Sequence, residues 1–120
     1  SVFENVELPL VFSNKKISDE YIDSVLNAVG IIHRKEHLPS QLSGGEMQRT
    51  AIARALVQKP KILIIDEPTG NLDSKNANTI FQLFEELNQK NKITIVCATH
   101  DIELAKRSSR ILKIKDGSLN

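Results

Sequence analysis

The apolar residues of this chain follow two periods, and each period predicts a different kind of element. Ile62–Ile65 is apolar without interruption, and Ile93–Ala98 is mostly apolar. Short runs of this kind are typical of strands buried on both faces of a parallel sheet. Arg110–Lys115 predicts a further strand, and Asp116-Gly117 directly after it is a hairpin turn signal.

Between these runs the apolar residues recur at helical spacing. Ser18 can cap a helix that ends near Gly30 and carries Ile22, Val25, Leu26 and Val29 on one face. A second helix is predicted from about Gly45 to Gln58. A third begins after Asp73 and runs to about Lys90, with Ala77, Ile80, Phe81, Phe84 and Leu87 on its apolar side. Shorter helices are predicted over Glu4–Leu8, ended by Pro9, and over Asp101–Arg107.

A long helix between two buried strands predicts a β–α–β unit with parallel strands and a right-handed crossover. The predicted fold class is therefore α/β, with helices packed on a parallel sheet.

Polar side chains stand where both predicted strands end. Asp66 and Glu67 follow the first strand, and His100 follows the second. Open α/β sheets bind their ligands at this edge. Two carboxylates there suit a magnesium-bound phosphate, one holding the metal and the other positioning or deprotonating the attacking water. The alternative is an ordinary solvated pair of acids.

Ser43-Gly44-Gly45-Glu46 matches a capping box at the start of the second long helix. Two glycines at a helix start let a phosphate approach the backbone N–H groups closely, and the helix dipole favours the anion. A capped helix with no ligand is the alternative.

Composition narrows the class of protein. The chain has 120 residues, 40% of them hydrophobic and 26% charged, which fits a globular domain or part of one. The formal net charge is +1, and basic and acidic residues are well mixed along the sequence. The sequence therefore shows no cluster of Lys and Arg of the kind that binds nucleic acid. No apolar run is long enough to span a bilayer, and no signal peptide begins the chain.

The single cysteine, Cys97, excludes a disulfide framework and is predicted to be a core residue. His33 and His37 have no third ligand nearby and are predicted to be surface residues.

Four segments occur in a meaningful order: LSGGEMQR (42–49), ILIIDEP (62–68), TGNLD (69–73) and ATHD (98–101). This order resembles the ATP-binding subunits of ABC transporters, with signature motif, Walker B, D-loop and switch histidine. DEPTGNLD together with ENVELPL resembles the branch that contains lipoprotein-releasing, macrolide-export and cell-division ATPases.

The resemblance implies part of a RecA-like P-loop NTPase domain, with a helical subdomain and signature helix over 1–56 and the second half of the core over 57–120. It implies that Asp66 holds Mg²⁺, that Glu67 is the general base and that His100 contacts the γ-phosphate of ATP. Further nucleotide contacts, made across a dimer, would come from Ser43, Gly44, Gly45, Glu46 and Asp73.

The same resemblance implies a second nucleotide-binding subunit, as in a homodimer, and transmembrane permease subunits as partners, with no nucleic acid. The expected location is cytoplasmic, on the inner face of the cell membrane.

The P-loop pattern G-x-x-x-x-G-K-[ST] is absent from the sequence, since none of its five glycines is followed by lysine. We therefore expect the chain to be the later part of the family's domain. Alone it should be inactive, and its sheet should carry an exposed apolar patch. Two alternative interpretations are a non-catalytic interaction module that retains these motifs and an ABC ATPase without a transport role. A P-loop upstream of Ser1 would decide for the enzyme.

Overall fold

The computed structural model describes residues 1–119. Two short 3₁₀ turns, Ile32–Arg34 and Pro39–Gln41, connect the second helix to the third. The other elements are α1 (Val2–Phe12), α2 (Asp19–Ala28), α3 (Gly44–Leu56), β1 (Ile62–Asp66), α4 (Ser74–Asn91), β2 (Thr94–Ala98), α5 (Ile102–Ala105), β3 (Ile114–Lys115) and β4 (Ser118–Leu119).

The two strands of the predicted β–α–β unit pair in parallel. Ile62 lies opposite Thr94, and the register continues to Asp66 opposite Ala98. Helix α4 forms the connection between them, so the predicted α/β class with a parallel sheet is confirmed. Strands β3 and β4 form a separate antiparallel hairpin. Its turn residues Asp116 and Gly117 have φ of 51° and 76°, as the hairpin prediction requires.

One hydrophobic core connects the helices to the inner face of the sheet. The predicted faces of α2 and α4 are buried in it. Its largest fully buried side chains are Ile22, Leu26, Ile31, Ile80, Val2, Val6, Val29 and Val57. Core residues come from both sides of residue 56, and the division into a helical subdomain and a core half stays a prediction.

Helix α1 does not end before Pro9, contrary to the prediction from the sequence. It continues to Phe12 with Pro9 inside it. Val2, Val6 and Leu10 recur every four residues and are buried against the core, which compensates for the amide hydrogen bond that proline cannot donate. The carbonyl oxygen of Pro9 accepts hydrogen bonds from the Ser13 backbone, the Ser13 hydroxyl and the Gln58 side-chain amide.

The sheet is covered on one face only, so the prediction of strands buried on both faces is wrong for the described residues. Leu63 lies in the hydrophobic core and is 7% exposed, whereas its neighbour Ile64 is 79% exposed. Ile62 and Val96 are exposed on the same side, and this is the apolar patch that the sequence led us to expect. Cys97 is half-buried rather than a fully buried core residue.

Three boundaries also differ from the prediction. Helix α5 covers only Ile102–Ala105 of the helix predicted over 101–107. Strand β2 begins at Thr94, one residue late, and the strand predicted over 110–115 is reduced to Ile114–Lys115. The side chains of Ile111 and Leu112 are exposed, so no packed neighbour holds residues 110–113 in a strand.

The signature helix α3 is anchored to the end of α2. Val29 is the C-cap of α2, and Gly30 follows it in the left-handed region, with φ of +72°. The Arg49 guanidinium donates a 2.6 Å hydrogen bond to the Val29 carbonyl oxygen. Within residues 1–119, no helix is both long enough and apolar enough to cross a membrane.

Candidate active site

The chain turns sharply at the carboxyl end of β1. Asp66 is the last residue of the strand, and its side chain is exposed. Glu67 has φ of +43°, a conformation uncommon for a residue other than glycine, while its N–H still donates to the Ala98 carbonyl at 2.9 Å. Because the backbone reverses here, the Glu67 side chain points across the edge of the sheet instead of continuing the strand's alternation.

Glu67 and His100 meet at this edge. The Nδ1 atom of His100 lies 2.8 Å from Oε1 of Glu67, and the His100 backbone N–H donates to the same oxygen at 3.1 Å. The hydrogen bond that Glu67 accepts from the ring, and then the negative charge of Glu67, raise the pKa of His100 above its ordinary value. The His100 side chain is 82% exposed, so it is free to meet a ligand.

The start of α3 forms the predicted capping box. Glu46 donates its N–H to the Ser43 hydroxyl at 3.3 Å, and the Glu46 carboxylate accepts the Ser43 N–H at 2.8 Å. Gly44 is exposed and Gly45 is buried. The first amides of a helix have no partner within it, so the exposed backbone at Gly44 fits an anionic ligand.

The two carboxylate oxygens of Glu46 are both engaged within the chain. Oε2 accepts the Ser43 N–H, and Oε1 lies 2.7 Å from Nε of Arg34. The hydrogen bond from Ser43, followed by the Arg34 guanidinium, lowers the pKa of Glu46 to about 2. Arg34 was not predicted from the sequence, because it lies twelve residues from Glu46 and belongs to no motif. These contacts give Glu46 a role in holding the helix start.

Asp73 caps α4 and lies beside the same helix start. Its Oδ1 accepts the Asn76 N–H at 2.9 Å, and its Oδ2 accepts the Asn76 side-chain amide at 2.8 Å. These bonds lower the pKa of Asp73. Leu72 and Asn76 lie against Gly44 and Gly45, so the segment 69–76 connects the Glu67 turn to the start of α3.

The residues at the sheet edge fit a hard divalent cation. No group of three or more His, Cys, Asp or Glu side chains gathers into a metal cluster within residues 1–119. Mg²⁺ needs no such cluster, because it usually takes one or two carboxylates and completes its shell with water and phosphate oxygens. The exposed carboxylate of Asp66 can supply that contact.

A parallel strand pair with acids and a histidine at its carboxyl edge, next to a glycine-rich helix start, defines an α/β nucleotide-binding domain. The family model described as ABC transporter matches residues 1–70, which is more than half of the chain. The chain belongs to this family. The match includes Ser43–Glu46, Asp66 and Glu67, whereas Asp73 and His100 lie beyond it.

Solved structures of ABC proteins superimpose on nearly the whole chain. The ATP-binding cassette MJ0796, a dimer bound to ADP and Pi in a post-hydrolysis state, is 42% identical with a TM-score of 0.84 over 99% of this chain. CbiO1 from Clostridium perfringens, part of the ABC transporter complex cbiONQ, is 39% identical with a TM-score of 0.79 over 87% of this chain. An ABC transporter in an inward-facing conformation, 24% identical, has a TM-score of 0.90 over 100% of this chain and supports the fold alone. The chain spans 54%, 42% and 51% of these structures respectively, about half their length.

The contact between Glu67 and His100 predicts a shifted titration. The pKa of His100, followed by NMR of its ring protons, should lie above 6.5 and should fall in Glu67→Gln, which removes the charge that favours the imidazolium. Since folding raises this pKa, the stabilisation is fully present below the unfolded value and is lost as the pH rises through the folded value. An unchanged His100 pKa in Glu67→Gln would show that the two side chains do not interact.

The Glu46 contacts predict a loss of stability on truncation. Glu46→Ala should lower the free energy of unfolding by about 1–2 kcal/mol at pH 7, because Ser43 and Arg34 lose their acceptor. Glu46→Gln should lose less, since its amide oxygen can still accept the Ser43 N–H. Folding depresses this pKa, so the carboxylate's contribution is present above the unfolded value and fades as the pH falls toward about 2.

Urea unfolding at pH 7 and near pH 2.5 measures both effects. Glu103→Ala is the matched control, because its pair with Lys106 is exposed and should contribute under about 0.5 kcal/mol. Equal stabilities for Glu46→Ala and Glu103→Ala at pH 7 would contradict the role assigned to Glu46.

Proposed function

We propose that this chain carries catalytic residues of an ABC-type ATPase that powers transport through partner membrane subunits. The single observation that carries the proposal is the meeting of Glu67 and His100, 2.8 Å apart, beside Asp66 at the carboxyl edge of a parallel strand pair. Such an edge is where α/β proteins bind nucleotides, and ABC domains in general are ATPases.

Each side chain has a role that its surroundings support. Asp66 holds Mg²⁺, through water, and bound Mg²⁺ would neutralise phosphate charge. Glu67 acts as the general base that takes the proton of the attacking water. The exposed ring of His100 can donate a hydrogen bond to the γ-phosphate.

The signature and D-loop residues would act across a dimer. We infer that Ser43, Gly44 and Gly45 close over the ATP of a second subunit and that Asp73 lies near the same nucleotide. The dimeric structure of the 42% identical cassette supports this arrangement. The two carboxylate oxygens of Glu46 already accept hydrogen bonds from Arg34 and Ser43. Glu46 would therefore affect the nucleotide indirectly, by holding the start of α3 in place.

We propose transmembrane permease subunits as the membrane partners and the inner face of the membrane as the location. One similar structure belongs to a transporter complex, which supports a multi-subunit assembly. The segments ENVELPL and DEPTGNLD favour the lipoprotein-releasing, macrolide-export and cell-division branch. The mixed charge, with a net value of +1, does not favour a nucleic-acid partner.

The P-loop pattern G-x-x-x-x-G-K-[ST] does not occur in these 120 residues. P-loop amides and lysine supply many of the phosphate contacts in such enzymes. We therefore expect the 120 residues alone to bind Mg-ATP weakly and to hydrolyse none, and activity to require a P-loop.

Glu67→Gln in the full-length protein tests the assignment of the base. The amide keeps the shape of the side chain but cannot take a proton, and general-base catalysis is worth about 10²–10⁴-fold. Steady-state ATP hydrolysis should fall by that factor while the Kd for Mg-ATP stays within about twofold. Glu103→Gln, an exposed acid on α5, should hydrolyse ATP at the wild-type rate. Wild-type turnover by Glu67→Gln would remove Glu67 from the role of base.

A further inference from the structure

The side-chain amide of Asn76 lies between the start of α3 and the start of α4 and has a neighbour on each side. Its Nδ2 donates to Oδ2 of Asp73 at 2.8 Å. Its Oδ1 lies 3.3 Å from the point that a β-carbon on Gly45 would occupy, and its Cγ lies 3.4 Å from the same point. One side chain therefore contacts both the D-loop carboxylate and the signature helix.

The orientation of this amide is determined by charge. Asp73 is an acceptor when ionised, and its lowered pKa keeps it ionised at neutral pH. The amide nitrogen must then face Asp73, because a flipped amide would place its oxygen against the carboxylate. The backbone N–H of Asn76 also donates to Asp73, so two hydrogen bonds join Asn76 to the Asp73 carboxylate.

A β-carbon at position 45 would require the Asn76 side chain to shift by a few tenths of an ångström. A separation of 3.3 Å is tighter than most β-carbon contacts, so an alanine would push the amide away from Asp73. Position 44 differs, because a β-carbon there would meet only Leu72 Cδ2, at an ordinary contact distance of 3.4 Å. The adjacent glycines of the signature thus face different neighbours.

We propose that Asn76 is a positioning residue that joins the Asp73 carboxylate to the start of α3 at Gly45 within one chain. A β-carbon at position 45 would crowd this internal contact as well as any phosphate. The contact links the start of the signature helix to the D-loop. Its consequence for ATP hydrolysis rests on the function proposed above.

A double-mutant cycle on the full-length protein tests the contact without reference to activity. Gly45→Ala should lower the Tm in the wild-type background. In the Asn76→Ala background the same change should leave the Tm equal or higher, because the obstructing amide is gone and alanine favours helix. The two effects of Gly45→Ala should differ by about 2 °C or more.

Gly44→Ala is the matched control, and its effect on the Tm should be the same in both backgrounds. If Gly45→Ala fails to fold alone, folding of the double variant supports the contact, and failure of both overturns it. Equal effects of Gly45→Ala in the two backgrounds overturn the proposal as well.

Two further readouts separate positioning from simple packing. NMR titration should show the carboxyl pKa of Asp73 rising in Asn76→Ala, since the side-chain donor is lost. In the same variant kcat for ATP should fall severalfold at unchanged KM. An unchanged Asp73 pKa overturns the bond to Asp73, and an unchanged kcat overturns the link to hydrolysis. If the wild-type protein hydrolyses no ATP, the proposed function fails, while the Tm cycle still decides the contact.

Discussion

The parallel pairing of β1 and β2 is the constraint on which the candidate site depends. The register brings Asp66 opposite Ala98, and the Glu67 N–H extends the pairing by one more bond to the Ala98 carbonyl. Glu67 and His100 are 33 residues apart in the chain, yet they meet because both strands end at the same edge. Helix α4 covers the inner face of the pair, so its packing in the core also holds the two strand ends together.

Most of the elements could be predicted because local patterns determine them. The spacing of Ile22, Val25 and Leu26 defines the buried face of α2, and the capping box at Ser43 depends only on residues three apart. The edge position of Asp66, Glu67 and His100 also followed from sequence, since it requires only two parallel strands and their ends.

The remaining features depend on contacts that no local pattern contains. Helix α1 passes through Pro9 because core packing outweighs one missing hydrogen bond. The exposure of Ile64 depends on which surfaces cover the sheet, and its apolar character alone does not reveal that. Likewise the pair of Arg34 with Glu46 and the contact of Asn76 with Gly45 join distant residues. The assignment of Glu46 and Gly45 to the nucleotide stays a prediction, and the structure adds contacts within the chain for both residues.

We propose that Asp66, Glu67 and His100 form one site for a metal-bound nucleotide. Paramagnetic relaxation measures this directly, with Mn²⁺-ATP added to the full-length protein in place of Mg²⁺-ATP, since Mn²⁺ takes the same oxygen ligands. We expect the NMR signals of Asp66, Glu67 and His100 to broaden first, while those of the hairpin residues Ile114 and Ser118 stay sharp. The diamagnetic Mg²⁺-ATP complex is the reference. Sharp signals at all three site residues under saturating Mn²⁺-ATP, or broadening centred elsewhere, would contradict the assignment.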